Sequence, residues 1–380
     1  MKIPFNKVFS TGYEERYVIE ALNSGAHCGN HSFCDMVIQL MKKKHGFGSV
    51  FLTPSCTAAL EMGAVLANIS PGDEVILPSY TFSSTVNAIV LFGGKPVFCE
   101  VEQKTMNIDT THIEELITSK TKMIIPIDYA GVPCEMDDIM EIASKYKLIV
   151  MQDCAQSYGS YYKQKPCGSL PHLSTFSFHE SKNYNAGEGG ALVVNVPEWE
   201  QRAYFIQEKG TDRRLVLEGV ISKYSWVDKG SSYLLSDILA AMLLAQLEAE
   251  EVIKAKRAKI TQAYSQLFTP FVVNGNVKIF QPAEYCEINH HAFWVLFDTP
   301  ENRSTFMSLL REKSINAYIG YLPLHSSKMG ERFGYSPKDL PITEDLAGRI
   351  VRLPFYTELA DHGLDYCVVE MKNILDKLYH

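Results

Sequence analysis

Much of what other protein classes require is missing from this chain. Its nine cysteines form no C-x-x-C pair, and an odd number of them in 380 residues suggests neither a disulfide framework nor a metal site. No stretch supplies the roughly 18 uninterrupted apolar residues of a membrane span, and Met1-Lys2-Ile3-Pro4-Phe5-Asn6-Lys7 lacks the apolar core of a leader peptide. Positive charge is not in excess. A formal charge of -8 and a pI near 5.8 leave no basic face for nucleic acid or an anionic membrane, though a local cationic pocket remains open. The dinucleotide fingerprint is absent too, since Gly46-Phe-Gly48 runs into a strand without a third glycine, which speaks against a dehydrogenase. There is no internal repeat and no low-complexity tract. The expectation is a soluble, cytoplasmic protein of a reducing compartment.

What is present is an ordinary globular composition, 46% hydrophobic and 21% charged, on a chain long enough for two domains. Short apolar runs, Ser49-Val-Phe-Leu52, Glu74-Val-Ile-Leu77, Pro96-Val-Phe-Cys99, Met123-Ile-Ile-Pro-Ile127 and Leu148-Ile-Val-Met151, alternate with segments of helical period. Runs without polar alternation belong to strands covered on both faces, so they predict an α/β fold with a mostly parallel central sheet between helices. From Ser236, an N-cap, a strong helix former runs on past Lys254. The pattern after it predicts a smaller α+β domain, with the large domain over 1–250 and the small one over 251–380.

Ligands of an open parallel sheet bind beyond the carboxyl ends of its strands, and three such ends carry chemistry. Leu52 leads into Thr53-Pro-Ser-Cys-Thr-Ala-Ala-Leu60, a helix start whose N–H groups, with Ser55 or Thr57, suit a phosphate; ordinary capping explains the same residues. Asp153 ends the Leu148 run, where a buried acid needs a partner such as a protonated pyridinium, unless it caps the next helix. Lys182 stands between the run at Ser174-Thr-Phe-Ser-Phe178 and the turn Gly187-Glu-Gly-Gly190. Burial there lowers an amine's pKa toward Schiff-base chemistry, and a snorkelling lysine is the alternative. Together the three meet the needs of pyridoxal 5'-phosphate (PLP): phosphate, ring nitrogen and aldehyde.

Ser177-Phe-His-Glu-Ser-Lys182-Asn, Asp153-Cys-Ala-Gln156 and Ser55-Cys-Thr-Ala58 resemble the nucleotide-sugar aminotransferase family of fold type I PLP enzymes. Thr105-Met-Asn-Ile-Asp109, Glu208-Lys-Gly-Thr211 and Gly230-Ser-Ser-Tyr-Leu-Leu-Ser-Asp237 extend the likeness over nearly the whole chain. The resemblance implies that Lys182 bonds to the cofactor and shuttles the proton, that Asp153 pairs with the ring nitrogen and that Gln156 lies near the phenolic oxygen. It implies that Thr57, Ala58 and Ser177 hold the phosphate and that Phe82 stacks on the ring. Tyr321 and His325 match a segment near the substrate, and Trp226 is a candidate for shaping the sugar pocket.

The implied reaction is ping-pong amination of a nucleotide-linked keto sugar for surface polysaccharide, such as lipopolysaccharide. L-glutamate is the implied donor and dTDP-4-keto-6-deoxy-D-glucose the expected substrate. Alternatives are a relative aminating carbon 3 and a non-catalytic regulatory protein on the same fold. The implied assembly is a homodimer with active sites at the interface, where the Gly230 to Ser236 loop of one subunit meets the other's phosphate site. Two positions depart from the family: Asp128 stands where a histidine is common, and Leu234 where an asparagine or arginine is.

Overall fold

The computed structural model describes residues 1–379. Thirteen strands run in chain order as β1 Ser49–Thr53, β2 Glu74–Pro78, β3 Lys95–Cys99, β4 Thr121–Ile124, β5 Ile149–Asp153, β6 Tyr161–Tyr162, β7 Lys165–Pro166, β8 Leu173–Ser177, β9 Gly190–Val194, β10 Val277–Ile279, β11 Cys286–Glu287, β12 Trp294–Phe297 and β13 Ile350–Arg352. Seven form the central sheet in the order β1-β9-β8-β5-β4-β2-β3. Only β9 is antiparallel to its neighbours, so the sheet is mostly parallel as the unbroken apolar runs predict.

Both faces of the sheet are buried. Along β1, Val50 and Leu52 join a core with Phe176, Val193 and Leu243, whereas Phe51 points the other way into a core with Leu60, Met151 and Leu192. That two-residue alternation inside a wholly apolar run is what a doubly covered strand requires. The helices before and after β1 supply the cover: α1 Glu14–Asn23, α2 Ser32–His45, α3 Cys56–Leu66 and α4 Ser83–Val90.

Ser236 does cap a helix, its Oγ accepting from the Ile238 N–H at 3.3 Å. The single long helix expected there is two, Asp237–Glu248 and Glu250–Val273, broken at Ala249 (φ −90°, ψ 12°). The first is buried on nearly every side, and the second carries Tyr264 and Phe268 into another core. That core surrounds the three-stranded sheet β10-β12-β13 and the terminal Leu364–Tyr379 helix. It also takes in Ile3, Tyr80 and Tyr129, so the first residues of the chain pack with its last third. No helix among the described residues is long and apolar enough to cross a membrane.

Candidate active site

A cavity of about 400 Å³ opens above the carboxyl ends of β1, β5 and β8, where such a sheet binds ligands. Asp153 faces it from the end of β5. Its Oδ2 accepts from the Thr85 hydroxyl (2.8 Å) and its Oδ1 from the Ala155 N–H (3.1 Å), and no cation is hydrogen-bonded to it among the described residues. Burial pushes this carboxyl above its ordinary range, although Thr85, the Ala155 N–H and the charge of Lys182 pull it down. A buried carboxylate whose hydrogen-bond donors are all neutral has room for a directly bonded cation, which a ligand would supply.

Lys182 lies in the turn between β8 and β9, held by its backbone N–H to the His179 carbonyl (2.9 Å), with its side chain in the cavity wall. Burial lowers the pKa of its ammonium; Asp153 opposes that shift and Arg352 reinforces it. The amine makes no hydrogen bond or ion pair among the described residues. An amine so placed gives up its proton more readily than a surface lysine, as bonding to an aldehyde requires.

α3 and α4 both begin at the cavity, so two sets of first-turn N–H groups converge on it. Thr57 Oγ1 donates to Ser84 Oγ at 2.8 Å and ties the two helix starts together. Ser55 does cap α3, its Oγ accepting from the Ala58 N–H (3.1 Å), which leaves Ala58 outside the cavity lining. Ser177 adds a hydroxyl from the end of β8. Beneath these groups Gly190 pairs with both Thr53 and Ser177. A Cβ there would stand 2.4 Å from the Ser55 carbonyl carbon and 2.5 Å from the Cys56 nitrogen, so only glycine lets β9 approach the start of α3 so closely.

The opposite wall is aromatic. Gln156 accepts from the Ala130 N–H (2.8 Å) and donates to the Tyr321 hydroxyl (3.1 Å), and Tyr321 packs against Tyr80, Tyr129 and Phe82. Phe82, 59% exposed, lines the cavity. His291 is buried, and burial together with the Lys182, Arg352 and Arg257 charges holds its pKa well below the ordinary value, so it is neutral. The Asn183 amide donates through Nδ2 to the Asn289 carbonyl and turns Oδ1 toward His291 Nδ1 (3.0 Å). The proton of His291 therefore sits on Nδ1.

Of the residues proposed from sequence, Lys182, Asp153, Thr57, Phe82, Gln156, Ser177 and Tyr321 line this one cavity. Ala58, His325 and Trp226 do not. His325 is fully buried, bonded to Ser79 Oγ (2.7 Å) and facing Glu344 at 3.4 Å, where it joins the Leu324 loop to the end of β2. Trp226 is 80% exposed, in the loop after the Arg213–Leu217 helix. Asp128 is fully buried beneath the site, bonded to Gln152, Ser157 and the Cys134 N–H. Sequence reasoning missed Thr85, His291, Arg352 and Phe5, all in the lining. Arg352 closes a strand of the small antiparallel sheet, to which the strand-end rule that found Asp153 does not extend.

The sheet, a carboxylate without a directly bonded cation at a strand end, an unpaired amine and two helix starts round one cavity define a PLP enzyme of fold type I. The chain belongs to the DegT/DnrJ/EryC1/StrS aminotransferase family, whose sequence profile matches residues 12–372. It is 30% identical to GDP-perosamine synthase of Escherichia coli O157:H7 over 370 residues, 96% of each chain. It is 33% identical to a Methanocaldococcus jannaschii protein of uncharacterised function over 334 residues, 85% of each. The PLP form of a sugar aminotransferase from Streptococcus pneumoniae, described as putative, shares the fold, with a TM-score of 0.91 at 24% identity and all of both chains covered.

Proposed function

We propose that this aminotransferase binds pyridoxal phosphate through Lys182 and Asp153 and aminates a nucleotide-linked keto sugar, with L-glutamate as donor. The observation that supports the reading is that Asp153 and Lys182 line one cavity, each feeling the other's charge but neither directly bonded to an oppositely charged group among the described residues. When bound, the cofactor supplies an aldehyde that bonds to amines and a ring that takes up the electron pair released at the substrate carbon.

The protein's own groups do the rest. Asp153, fixed by Thr85 and the Ala155 N–H, holds a proton on the ring nitrogen. Lys182 Nζ would hold the cofactor through its aldehyde and, once freed by an incoming amine, would serve as the base that moves the proton. Thr57, Ser84, Ser177 and the N–H groups at the starts of α3 and α4 hold the phosphate. Phe82 would stack on the ring, and Gln156, positioned by Ala130 and Tyr321, would serve its phenolic oxygen.

We assign dTDP-4-keto-6-deoxy-D-glucose as the substrate and the cytoplasmic stage of surface-polysaccharide synthesis as the setting. The relative named GDP-perosamine synthase supports a nucleotide-linked product and makes the base the variable to test. The deciding assay gives the PLP-loaded protein L-glutamate with keto sugars on dTDP and GDP, and solves the product by NMR. An amine at carbon 4 of the dTDP sugar is expected. Absence of turnover on every keto sugar, from protein that binds PLP, ends the reading.

A further inference from the structure

Asp128 begins the turn after β4 and is fully buried. Its backbone runs beside the end of β5: the Asp128 N–H donates to the Asp153 carbonyl (3.2 Å), and the Asp153 N–H donates to the Pro126 carbonyl (2.9 Å). Its carboxylate is surrounded by donors. Oδ1 accepts from the Cys134 N–H (2.9 Å) and from Gln152 Nε2 (3.0 Å), and Oδ2 accepts from Gln152 Nε2 (2.8 Å) and the Ser157 hydroxyl (2.6 Å). The Gln152 amide is fixed in that sense, because its Oε1 accepts from the Gly168 N–H (3.0 Å). Such a shell suits an ionised acid.

Two segments that build the cavity depend on this one group. Gln152 and Ser157 flank residues 153–156, so their bonds to Asp128 hold Asp153 and Gln156 from either side. The turn that starts at Asp128 carries Ala130 at φ 57°, a conformation that persists only where its surroundings impose it. The Cys134 bond to Asp128 closes that turn, and the Ala130 N–H then donates to Gln156 Oε1 at 2.8 Å.

No lysine, arginine or histidine is hydrogen-bonded to Asp128 or ion-paired with it among the described residues. The other titratable groups that face it are the thiols of Cys134, Cys154 and Cys167, which burial keeps protonated, and Asp153. Burial is the main reason that Asp153 holds a proton more tightly than a free acid, and the Asp128 charge adds to it. We infer that Asp128 is a positioning residue for the cofactor: it fixes Asp153 and Gln156 from below and places a second negative charge behind Asp153, so that a cationic ring is favoured over a neutral one. The inference rests on Asp153 facing the ring nitrogen, as proposed above.

The test compares PLP with its 1-deaza analogue, in which C–H replaces the ring nitrogen and no ring cation forms. Spectroscopic titration of cofactor-free protein gives a Kd for each, and circular dichroism shows that each variant is folded. Wild type should bind PLP the more tightly. In Asp128→Asn that preference, the ratio of the two Kd values, should fall by about tenfold, the scale of one elementary charge lost from a neighbouring buried position. Ser157→Ala loosens the same network and keeps the charge, so it should weaken both cofactors together and leave the ratio within about twofold. Should Asp128→Asn not fold, Asp128→His, the residue common at this position in the family, makes the same comparison. An unchanged ratio in the Asp128 variant overturns the inference. So does an equal fall in Ser157→Ala, which would make packing and not charge the cause. Asp153→Asn is the control, where the preference should collapse; if it persists there, the pairing of Asp153 with the ring nitrogen fails and the inference falls with it.

Discussion

Asp153 is expensive where it stands, because burial raises its pKa and the neutral donors and the Lys182 charge offset only part of that cost. The folded-state value lies above the unfolded value of about 3.9, so the charged form weighs on the folded protein at neutral pH. That penalty fades as pH falls toward the unfolded value, where both states hold the proton. Asp153→Asn should therefore raise the Tm of cofactor-free protein by a few degrees at pH 7 to 8, with the gain vanishing near pH 4. The same variant should lose about 100-fold or more in kcat, since an amide does not keep the ring nitrogen protonated. Near-normal kcat would leave Asp153 a mere helix cap. For Lys182→Ala the expected signature is the absorbance of free aldehyde in place of the bonded cofactor, with transamination down by at least about 1,000-fold. Lys163 offers no substitute, being tied to Asp137 at 2.6 Å on a separate loop.

Elements converge on the cavity as much as residues do. β8, β9 and β1 meet at one level, Ser177, Gly190 and Thr53, directly below the starts of α3 and α4. That level holds only while β9 can press against Ser55 and Cys56. In Gly190→Ala the new methyl would meet backbone, which cannot rotate away, so the start of α3 must shift from the phosphate cradle. A rise of about tenfold in the Kd for PLP is expected from spectroscopic titration, equal to the loss of one good hydrogen bond. An unchanged Kd would show that the helix starts do not hold the phosphate.

At the scale of the molecule, the segment from Leu217 to Val227 carries several exposed apolar side chains. Leu217 is 71% exposed, Val220 66% and Trp226 80%. The loop leads into Gly230 to Ser236, proposed to complete the site of a second copy, so sedimentation should give twice the 42.8 kDa chain mass. Leu234 has no side-chain donor, which leaves Ser231, Ser232 and backbone N–H groups for the partner's phosphate. Within its own subunit the Ser231 N–H already bonds the Ile206 carbonyl (3.2 Å), so a proline there disables the loop. Lys182→Ala subunits and Ser231→Pro/Ser232→Pro subunits should each be inactive. Their mixture should recover about one quarter of wild-type activity once subunits exchange freely. A mixture that stays inactive after verified exchange, or an active monomer, refutes the shared site.

By itself the sequence determined the doubly covered strands, because unbroken apolar runs are tolerated only where both faces are buried. It also singled out Lys182 and Asp153 as candidates, because charged groups at the ends of such runs sit where an α/β sheet binds ligands, and both line the one cavity. Only the tertiary structure decided which distant segments join them. Thr85 reaches Asp153 from 68 positions away, and Arg352 and Phe5 meet in the wall although they lie near opposite ends of the chain. Periodicity tells which residues are buried and not against what, so it could neither find His291 nor exclude His325, whose Ser79 and Glu344 neighbours come together through long-range packing.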